Sequence, residues 1–213
     1  MINIHYFTFG PASENTYILW DESKECLLID PGNFTPYEHK QLSDFITEHE
    51  LKPVRLLLTH GHFDHVNGNK YVFDTYGLLP EAHQNEYIII ENHVTSALRF
   101  NCHVEQSPMP KNELNEGDVI TFGNNSTLEI LFTPGHSPGS ITFYSSKERF
   151  MVSGDVLFYG SIGRTDLYMS NHQDLIDSIK NKLIPLGDDM TVYCGHGQPT
   201  NIGEEKHYNM FLQ

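Results

Sequence analysis

Cysteine is scarce in this chain of 213 residues, which contains only Cys26, Cys102 and Cys194. Three widely spaced cysteines cannot form a complete disulfide framework, so the composition favours a reducing compartment. Cys26 and Cys194 lie in apolar stretches and are expected to be buried thiols, whereas Cys102 lies in a polar stretch and is expected at the surface. A redox role for Cys194, which is close to His196 in the chain, is a less favoured alternative.

Positive charge is also scarce, because 13 lysines and arginines stand against 28 aspartates and glutamates. The resulting formal net charge of −15 disfavours binding to nucleic acids and to anionic membranes, since both repel an acidic surface. We therefore predict neither a nucleic acid nor a membrane as a partner. The sequence does not indicate an oligomeric state.

Long apolar runs are absent, and none approaches the roughly 20 residues that span a bilayer. No lysine or arginine precedes Lys24, and the first residues alternate between polar and apolar, so we expect no secretory signal and a cytoplasmic location. The chain also lacks internal repeats and low-complexity linkers, and its hydrophobic content of 38% is typical of a globular protein. These features predict a single domain over residues 1–213.

The most informative segment is Thr59–His65, which reads Thr-His-Gly-His-Phe-Asp-His. His60 and His62 are close enough in the chain for a turning backbone to direct both imidazoles at one ion. Asp64 and His65 follow and can face a second ion. Imidazole nitrogen combined with carboxylate oxygen favours zinc, iron or manganese over calcium or magnesium. We therefore predict a transition-metal site here, with a merely histidine-rich polar loop as the alternative.

Three more candidate ligands follow apolar, strand-like runs, just as His60 follows Val54–Leu58. His136, Asp155 and His196 each come directly after a glycine, where the backbone can turn sharply or approach an ion closely. The runs that precede them are Leu128–Phe132, Phe150–Val152 and Thr191–Cys194. Because active sites often collect at strand ends, we expect these side chains to meet at one edge of the fold.

Hydrophobic periodicity and turn residues predict a mixture of strands and helices. Thr35, Pro36 and Glu38 indicate a capped helix start, and Asn171 indicates the cap of a helix with a long apolar stripe. Residues 81–117 show no clear pattern: the apolar run Tyr87–Ile90 is too short to distinguish a helix from a strand, and Pro108, Pro110 and several acids indicate a surface loop or lid. The other predicted elements are strands at 2–9, 15–20, 26–29, 77–79, 119–122, 128–132, 141–144, 149–152 and 191–194, and helices at 66–76 and 204–211. Two sheets packed back to back with helices outside accommodate this order.

The pattern His-x-His-x-Asp-His at residues 60–65, followed by His136, Asp155 and His196, resembles the metallo-β-lactamase superfamily. Within that superfamily the sequence is most similar to glyoxalase II (hydroxyacylglutathione hydrolase), in the short form without the C-terminal helical domain. The segments that carry this closer resemblance are Thr133–Gly139, Ser153–Asp155 and Gly163–Asp166. The resemblance implies an α+β fold, the αβ/βα four-layer sandwich, with metals at one edge between the sheets.

The resemblance also implies a dinuclear site that binds two transition-metal ions, with zinc favoured and iron or manganese as alternatives. Asp155 would bridge the ions, and Asp64 and Asp155 would be the catalytic carboxylates. Asp30, in an Asp-Pro-Gly element that the family carries beside its metals, would be a supporting residue or only a turn residue. The implied ligands are His60, His62 and His136 for one ion and Asp64, His65 and His196 for the other.

The reaction implied by the resemblance is hydrolysis of a small-molecule thioester, such as S-lactoylglutathione, by a hydroxide held between the ions. Arg164 follows Asp155 in the chain and is predicted to bind a substrate carboxylate, with a structural pair to Asp166 as the alternative. Asp166 stands where the family has tyrosine, and the residues with which the longer members hold glutathione have no counterpart here. The acyl group and the thiol carrier therefore stay open.

Two other activities of the superfamily are disfavoured. Asp155 stands where class B1 β-lactamases carry cysteine, which argues against antibiotic hydrolysis, and His62 stands where di-iron oxygen reductases carry glutamate, which argues against oxygen reduction. Two alternative functions remain. A mononuclear-iron persulfide dioxygenase would use His60, His136 and Asp155, and it shares the Gly-Arg-Thr-Asp segment. A metal-binding protein without catalytic activity is the second alternative and belongs to a different functional class.

Overall fold

The computed structural model describes residues 1–213. The N-terminal half of the chain forms one sheet. Its strands are β1 (Asn3–Phe9), β2 (Glu14–Trp20), β3 (Glu25–Ile29), β4 (Lys52–Leu57), β5 (Pro80–Ala82) and β6 (Asn112–Glu113). The strands lie side by side in chain order. The pairs from β1 to β3 are antiparallel and those from β3 to β6 are parallel.

The C-terminal half forms a second six-stranded sheet and a short two-stranded ribbon. Its strands are β7 (Val119–Phe122), β8 (Ser126–Phe132), β9 (Ile141–Ser145), β10 (Phe150–Gly154), β11 (Leu157–Phe158), β12 (Ser161–Ile162), β13 (Thr191–Cys194) and β14 (Thr200–Asn201). The sheet order is β14-β13-β10-β9-β8-β7, and β11 pairs with β12 in the ribbon. Only β10 and β13 are parallel neighbours in this sheet.

Six helices accompany the sheets: α1 (Pro36–Glu48), α2 (Phe63–Val66), α3 (Asn69–Tyr76), α4 (Tyr87–Leu98), α5 (His172–Ser178) and α6 (Ile202–Tyr208). The α1 start is capped as predicted, since Thr35 Oγ1 accepts a hydrogen bond from the Glu38 N–H and Glu38 accepts one from the Thr35 N–H. Asn171 caps α5 by accepting from two backbone N–H groups of its first turn.

Three of the four apolar clusters fill the spaces between these layers. Alternation along the strands sends Tyr17 and Leu19 toward the second sheet, where they pack with Ile130 and Phe143, and sends Ile18 outward. The outer face of the first sheet packs on α1 and α3, with Leu42, Ile46 and Val72 in the cluster. The outer face of the second sheet packs on α5 and α6, with Leu175, Ile179 and Ile202 in the cluster. The layers are helix, sheet, sheet and helix, which confirms the predicted αβ/βα four-layer sandwich.

Several predicted boundaries are wrong, and the reasons are local. The helix expected over 66–76 is divided into α2 and α3 at Gly68, whose missing Cβ leaves room for the Asn33 side chain. His65 lies inside α2 rather than in the loop before the helix. The strand expected at 77–79 lies at Pro80–Ala82, because Gly77 ends α3 with φ +71°. The helix expected over 204–211 is Ile202–Tyr208, since Asn201 caps it earlier.

Residues 81–117, whose pattern left helix and strand open at Tyr87–Ile90, contain the twelve-residue helix α4 where much of a loop or lid was expected. Its buried positions Ile89, Ile90, His93 and Ala97 follow helical spacing, yet the apolar run in the sequence is too short to distinguish a helix from a strand. Cys102, which follows this helix, is buried rather than exposed. No helix in the structure is both long and apolar enough to cross a membrane.

Candidate metal centre

The carboxyl ends of β4, β8, β10 and β13 lie at one edge of the sandwich, and the loops that follow them carry the predicted ligands. Backbone hydrogen bonds connect these loops. The Ile141 N–H donates to the Thr59 carbonyl at 2.9 Å, and the Gly195 N–H donates to the Gly154 carbonyl at 2.8 Å. Side chains on this edge are therefore held by both sheets, and all seven predicted ligands lie there.

His60, His62 and His136 form the first group of donors, with one ligand atom from each lying within 4.8 Å of the others. His62 Nδ1 is 2.9 Å from His136 Nε2. Burial and the neighbouring imidazoles lower the pKa of His60 well below its usual value and the pKa of His62 to about 3. These imidazoles are therefore neutral and can offer lone pairs to an ion.

Asp64, His65 and His196 form the second group, again with ligand atoms within 4.8 Å of one another. His196 Nε2 lies 3.4 Å from both Asp64 Oδ2 and His65 Nε2. Desolvation lowers the pKa of His196, but the Asp155 and Asp64 carboxylates outweigh it and raise that pKa to about 10. The second group therefore attracts positive charge, whereas the first group does not.

Asp155 lies between the two groups. Its Oδ1 is 3.3 Å from His65 Nε2, and its Oδ2 is 3.4 Å from His136 Nε2 and 3.5 Å from His196 Nε2. Burial raises the pKa of Asp155, but His65 and His196 outweigh that effect and hold the pKa well below its usual value. Asp155 is thus an ionised carboxylate within reach of both donor groups.

Backbone carbonyls orient two of the histidines. The His136 Nδ1 lies 2.9 Å from the Arg164 carbonyl, and the His196 Nδ1 lies 3.1 Å from the carbonyls of Ala12 and Ser13. A carbonyl can only accept, so each Nδ1 carries a proton and each Nε2 is the atom left to face an ion, which in His196 would take the place of the proton that the nearby carboxylates stabilise. This is the tautomer that a metal site requires.

Asp30 fixes His65 in the same way. Its Oδ1 accepts a hydrogen bond from the Thr59 N–H at 2.7 Å, and its Oδ2 accepts from the Thr59 hydroxyl and, at 3.1 Å, from His65 Nδ1. Asp30 also lies close to His60 and His65 as a possible third donor group, but its oxygens are already occupied by these hydrogen bonds. The structure therefore places Asp30 as a support for His65.

The donor set fits two transition-metal ions, because the cluster leaves buried polar atoms without partners. His60 Nε2 and Asp155 Oδ1 are both buried and make no hydrogen bond within the protein. An unpaired buried polar atom costs about 1–3 kcal/mol, and ligation of a cation would remove that cost. Imidazole nitrogens that face each other, together with two carboxylates, suit zinc, iron or manganese.

Glu86 is a buried residue that the sequence did not single out. Its carboxylate accepts hydrogen bonds from the Gly61 N–H at 2.7 Å, the Gly139 N–H at 2.5 Å and the Ser137 hydroxyl at 2.7 Å. Gly61 separates His60 from His62, so Glu86 connects the loop of these two ligands to the loop that carries His136. Burial outweighs the three hydrogen bonds and raises the pKa of Glu86 to about 7.

Glu14 is a second buried carboxyl group that sequence reasoning missed. It accepts a hydrogen bond from the Thr16 hydroxyl at 2.9 Å, and its Oε1 lies 3.9 Å from His65 Nδ1. Burial raises the pKa of Glu14 well above its usual value, despite the proximity of His65. No sequence signal distinguishes Glu14 or Glu86 from the many surface acids, because only the fold buries them.

A cavity of about 720 Å³ opens over this cluster. His62, Asp64, His136, Asp155 and His196 lie at the metal end. The walls come from the start of α2, from α4 and from residues 158–168 after β10. The structure thus places a substrate-sized space beside the predicted ligands.

Arg164 lines this cavity, as the prediction of a substrate-binding role requires. Its guanidinium also donates two hydrogen bonds of 2.9 Å to the Asp166 carboxylate, which is the predicted structural alternative. Both side chains are exposed. Arg164 could therefore bind a substrate carboxylate only by sharing or exchanging its present partner.

The model of the metallo-β-lactamase superfamily matches residues 9–196. The "Probable metallo-hydrolase YqgX" of Bacillus subtilis is 37% identical over 203 residues, which covers 95% of this chain and 94% of that protein. The "Hydroxyacylglutathione hydrolase GloC" of Haemophilus influenzae is 36% identical over 213 residues, with coverage of 99% and 98%.

Solved structures agree with these relatives. The crystal structure of BLEG-1 B3 metallo-beta-lactamase has a TM-score of 0.91 and 35% identity, covering 99% of this chain and all of that one. The structure of TTHA1623 in a di-iron-bound form has a TM-score of 0.88 and 34% identity, covering 98% of this chain and all of that one. The architecture, the donor cluster and these similarities lead to one conclusion: the chain belongs to the metallo-β-lactamase superfamily, whose members bind divalent metal ions.

Proposed function

We propose that the chain is a dinuclear metal-dependent hydrolase that cleaves a hydroxyacyl thioester such as S-lactoylglutathione. The observation that carries this proposal is the position of Asp155 between two complete donor groups at the end of a substrate-sized cavity. Similarity to the hydroxyacylglutathione hydrolase of Haemophilus influenzae over nearly the whole chain supports the choice of a thioester.

The chain's own residues would hold the two ions and set their spacing. Two bound transition-metal ions supply Lewis acidity that polarises a carbonyl group and generates a nucleophile from water near neutral pH. Asp155 would serve both ions, so that one carboxylate fixes the distance between them. The groups assigned to the separate ions are His60, His62 and His136, and Asp64, His65 and His196.

Asp64 and Asp155 would also act on the attacking water as hydrogen-bond acceptors. Desolvation raises the pKa of Asp64, but the hydrogen bond to His196 and the charges of His65 and His196 together outweigh it, so both carboxyl groups are ionised at neutral pH. Expulsion of a thiolate needs little protonation, because a thiol has a pKa of about 8.5. The site therefore needs no separate general acid for this leaving group.

The rest of the cavity suits an organic substrate with both apolar and polar parts. Phe63 and Phe100 stack with ring centroids 5.4 Å apart on one wall, and Phe158 lines the other. Arg164 is proposed to contact a carboxylate of the substrate in exchange with Asp166. A cavity of this kind favours an enzyme over a metal-binding protein without catalytic activity.

Metal analysis combined with activity assays tests the proposal. Elemental analysis of gently purified protein should approach two transition-metal ions per chain, and zinc, iron and manganese should be compared because TTHA1623 was solved with two irons. The protein should hydrolyse S-lactoylglutathione and should not consume oxygen with glutathione persulfide. One iron per chain, unchanged by added zinc and accompanied by oxygen uptake, would instead favour a persulfide dioxygenase.

A β-lactam belongs in the same assay, because BLEG-1 B3 metallo-beta-lactamase shares 35% identity with this chain. We expect hydrolysis of the thioester to exceed hydrolysis of the β-lactam by a wide margin. Hydrolysis of the β-lactam alone, with two ions bound, would retain the dinuclear hydrolase and overturn the proposed substrate.

A further inference from the structure

Outside the metal cluster, the cavity is lined by only three charged side chains: Arg99, Arg164 and Asp166. Arg164 and Asp166 form a bidentate ion pair, so their charges cancel. The net charge of this part of the cavity is therefore the single positive charge of Arg99. A cavity that carries an uncompensated cation favours a ligand with a negative charge.

Arg99 differs from the other arginines in having no carboxylate partner. The chain contains four arginines, and Arg55, Arg149 and Arg164 pair with Glu81, Asp189 and Asp166, respectively. Arg99 forms no such pair, although acids outnumber basic residues by more than two to one. Its guanidinium is exposed, so all of its N–H donors are available to bind a carboxylate through two parallel (bidentate) hydrogen bonds.

One face of α4 lines the cavity, and its polarity changes along the helix toward Arg99. Asn92, Thr95, Ser96 and Arg99 recur at helical spacing and all line the cavity, so they share one face of the helix. Ile88, one turn before Asn92, lines the cavity as well. The wall therefore changes from apolar to hydrogen-bonding and then to cationic along its length.

A purely structural role for Arg99 is the competing explanation. Arg99 directly follows the last residue of α4, Leu98, where a positive charge is favourable beside the helix C-terminus. That role would affect the stability of the helix but would not discriminate between charged and neutral ligands. The two explanations therefore predict different measurements.

We infer that Arg99 recognises a carboxylate on the thiol carrier of the substrate, making it a specificity-determining residue. The inference rests on the proposed thioester hydrolysis. A hydroxyacyl group such as lactoyl carries no charge, so an anion that reaches Arg99 must belong to the thiol part. The preferred substrates are thioesters of thiols that bear carboxylates, and Asn92, Thr95 and Ser96 would hydrogen-bond to polar groups between the anion and the thioester.

Kinetics of Arg99→Gln with two substrates test this assignment. S-lactoylglutathione carries carboxylates on its thiol, whereas the lactoyl thioester of N-acetylcysteamine is neutral. Loss of a hydrogen-bonded charge pair should raise KM for the glutathione thioester by about ten-fold or more, with kcat nearly unchanged. KM for the neutral thioester should stay the same, and Arg99→Lys should recover part of the loss.

Lys147→Gln is the matched control, because Lys147 is exposed in the turn between β9 and β10, away from the cavity, and the substitution removes the same charge. It should leave both KM values unchanged. Equal effects of Arg99→Gln on the two substrates, or an unchanged KM with a lowered melting temperature, would overturn the assignment in favour of the helix-end role.

Binding of S-hexylglutathione separates this inference from the proposed function, because a thioether cannot be hydrolysed. Wild-type protein should bind it, and Arg99→Gln should weaken that binding by about ten-fold or more. If the protein hydrolysed no thioester but bound this probe through Arg99, the proposed reaction would fail and the carboxylate site would stand. If the wild type did not bind the probe, or if Arg164→Gln weakened binding while Arg99→Gln did not, the assignment of Arg99 would be wrong.

Discussion

The two donor groups of the metal centre differ in their electrostatics although they lie side by side. His60, His62 and His136 are neutral imidazoles whose pKa values are lowered, chiefly by burial. Around His65 and His196, in contrast, carboxylates outweigh desolvation and raise the pKa values. The first group depends on the placement of lone pairs, whereas the second also offers negative charge to a cation.

This difference indicates how each group is supported. Glu86 holds the first group indirectly, through backbone N–H groups and a serine hydroxyl in the loops that carry the histidines. Asp30 holds the second group directly, through a hydrogen bond to His65 itself. Substitutions at the shared ligand, at each support and outside both groups should therefore have distinct effects.

The largest effect is expected for Asp155→Ala, which removes the carboxylate shared by both groups. Hydrolysis should be lost almost completely, because neither the spacing of the ions nor the position of the attacking water would be maintained. The fold should survive, since the apolar clusters do not involve Asp155. Circular dichroism and kcat/KM test both statements. Retention of more than about a tenth of the wild-type kcat/KM, a loss below about 1.4 kcal/mol, would contradict the bridging role.

Asp30→Asn should impair the second group and spare the first. An amide nitrogen at the Oδ2 position would donate to His65 Nδ1, which forces the proton onto Nε2 and removes the lone pair that faces Asp155. Affinity for one ion should fall by roughly 10–100-fold while the other ion remains. Titration of the metal-free protein with zinc would show two unequal sites. Equal weakening of both sites would argue against separate support.

Arg164→Ala touches neither donor group and should leave two ions bound. If Arg164 binds a substrate carboxylate, its loss removes about 1.5–3 kcal/mol of binding, so KM should rise about ten-fold or more with a much smaller change in kcat. Arg164→Lys should recover only part, because the charge returns without the planar fork. A lowered melting temperature with unchanged KM would instead identify the pair with Asp166 as structural.

The sequence predicted that the donor side chains lie together because their residue types and spacing are local signals. Histidines and aspartates directly after apolar runs suffice to place ligands at strand ends, and the same runs predict both sheets. The cavity wall and the supports were not predicted in this way. Asn92 and Arg99 become wall residues only because α4 forms, and Glu86 becomes a support only because the two sheets bring residues 61 and 139 together.

The smallest predicted effect concerns the pH dependence of stability through Glu86. Its pKa of about 7 in the folded chain lies above the value of about 4.3 expected in an unfolded chain. The folded chain therefore keeps a proton that the unfolded chain releases, and stability falls as pH rises from about 4.5 to about 7. Glu86→Gln removes this contribution, so its melting temperature should fall by several degrees less than that of the wild type over this range. Thermal unfolding of chelator-treated protein measures the difference, with Glu22→Gln, in an exposed turn, as the matched control that should follow the wild type.

Parallel curves for wild type and Glu86→Gln would show that Glu86 stays ionised among its three donors. In that case the first donor group would have a permanent negative charge beside it, and the contrast with the second group would be smaller than the structure indicates.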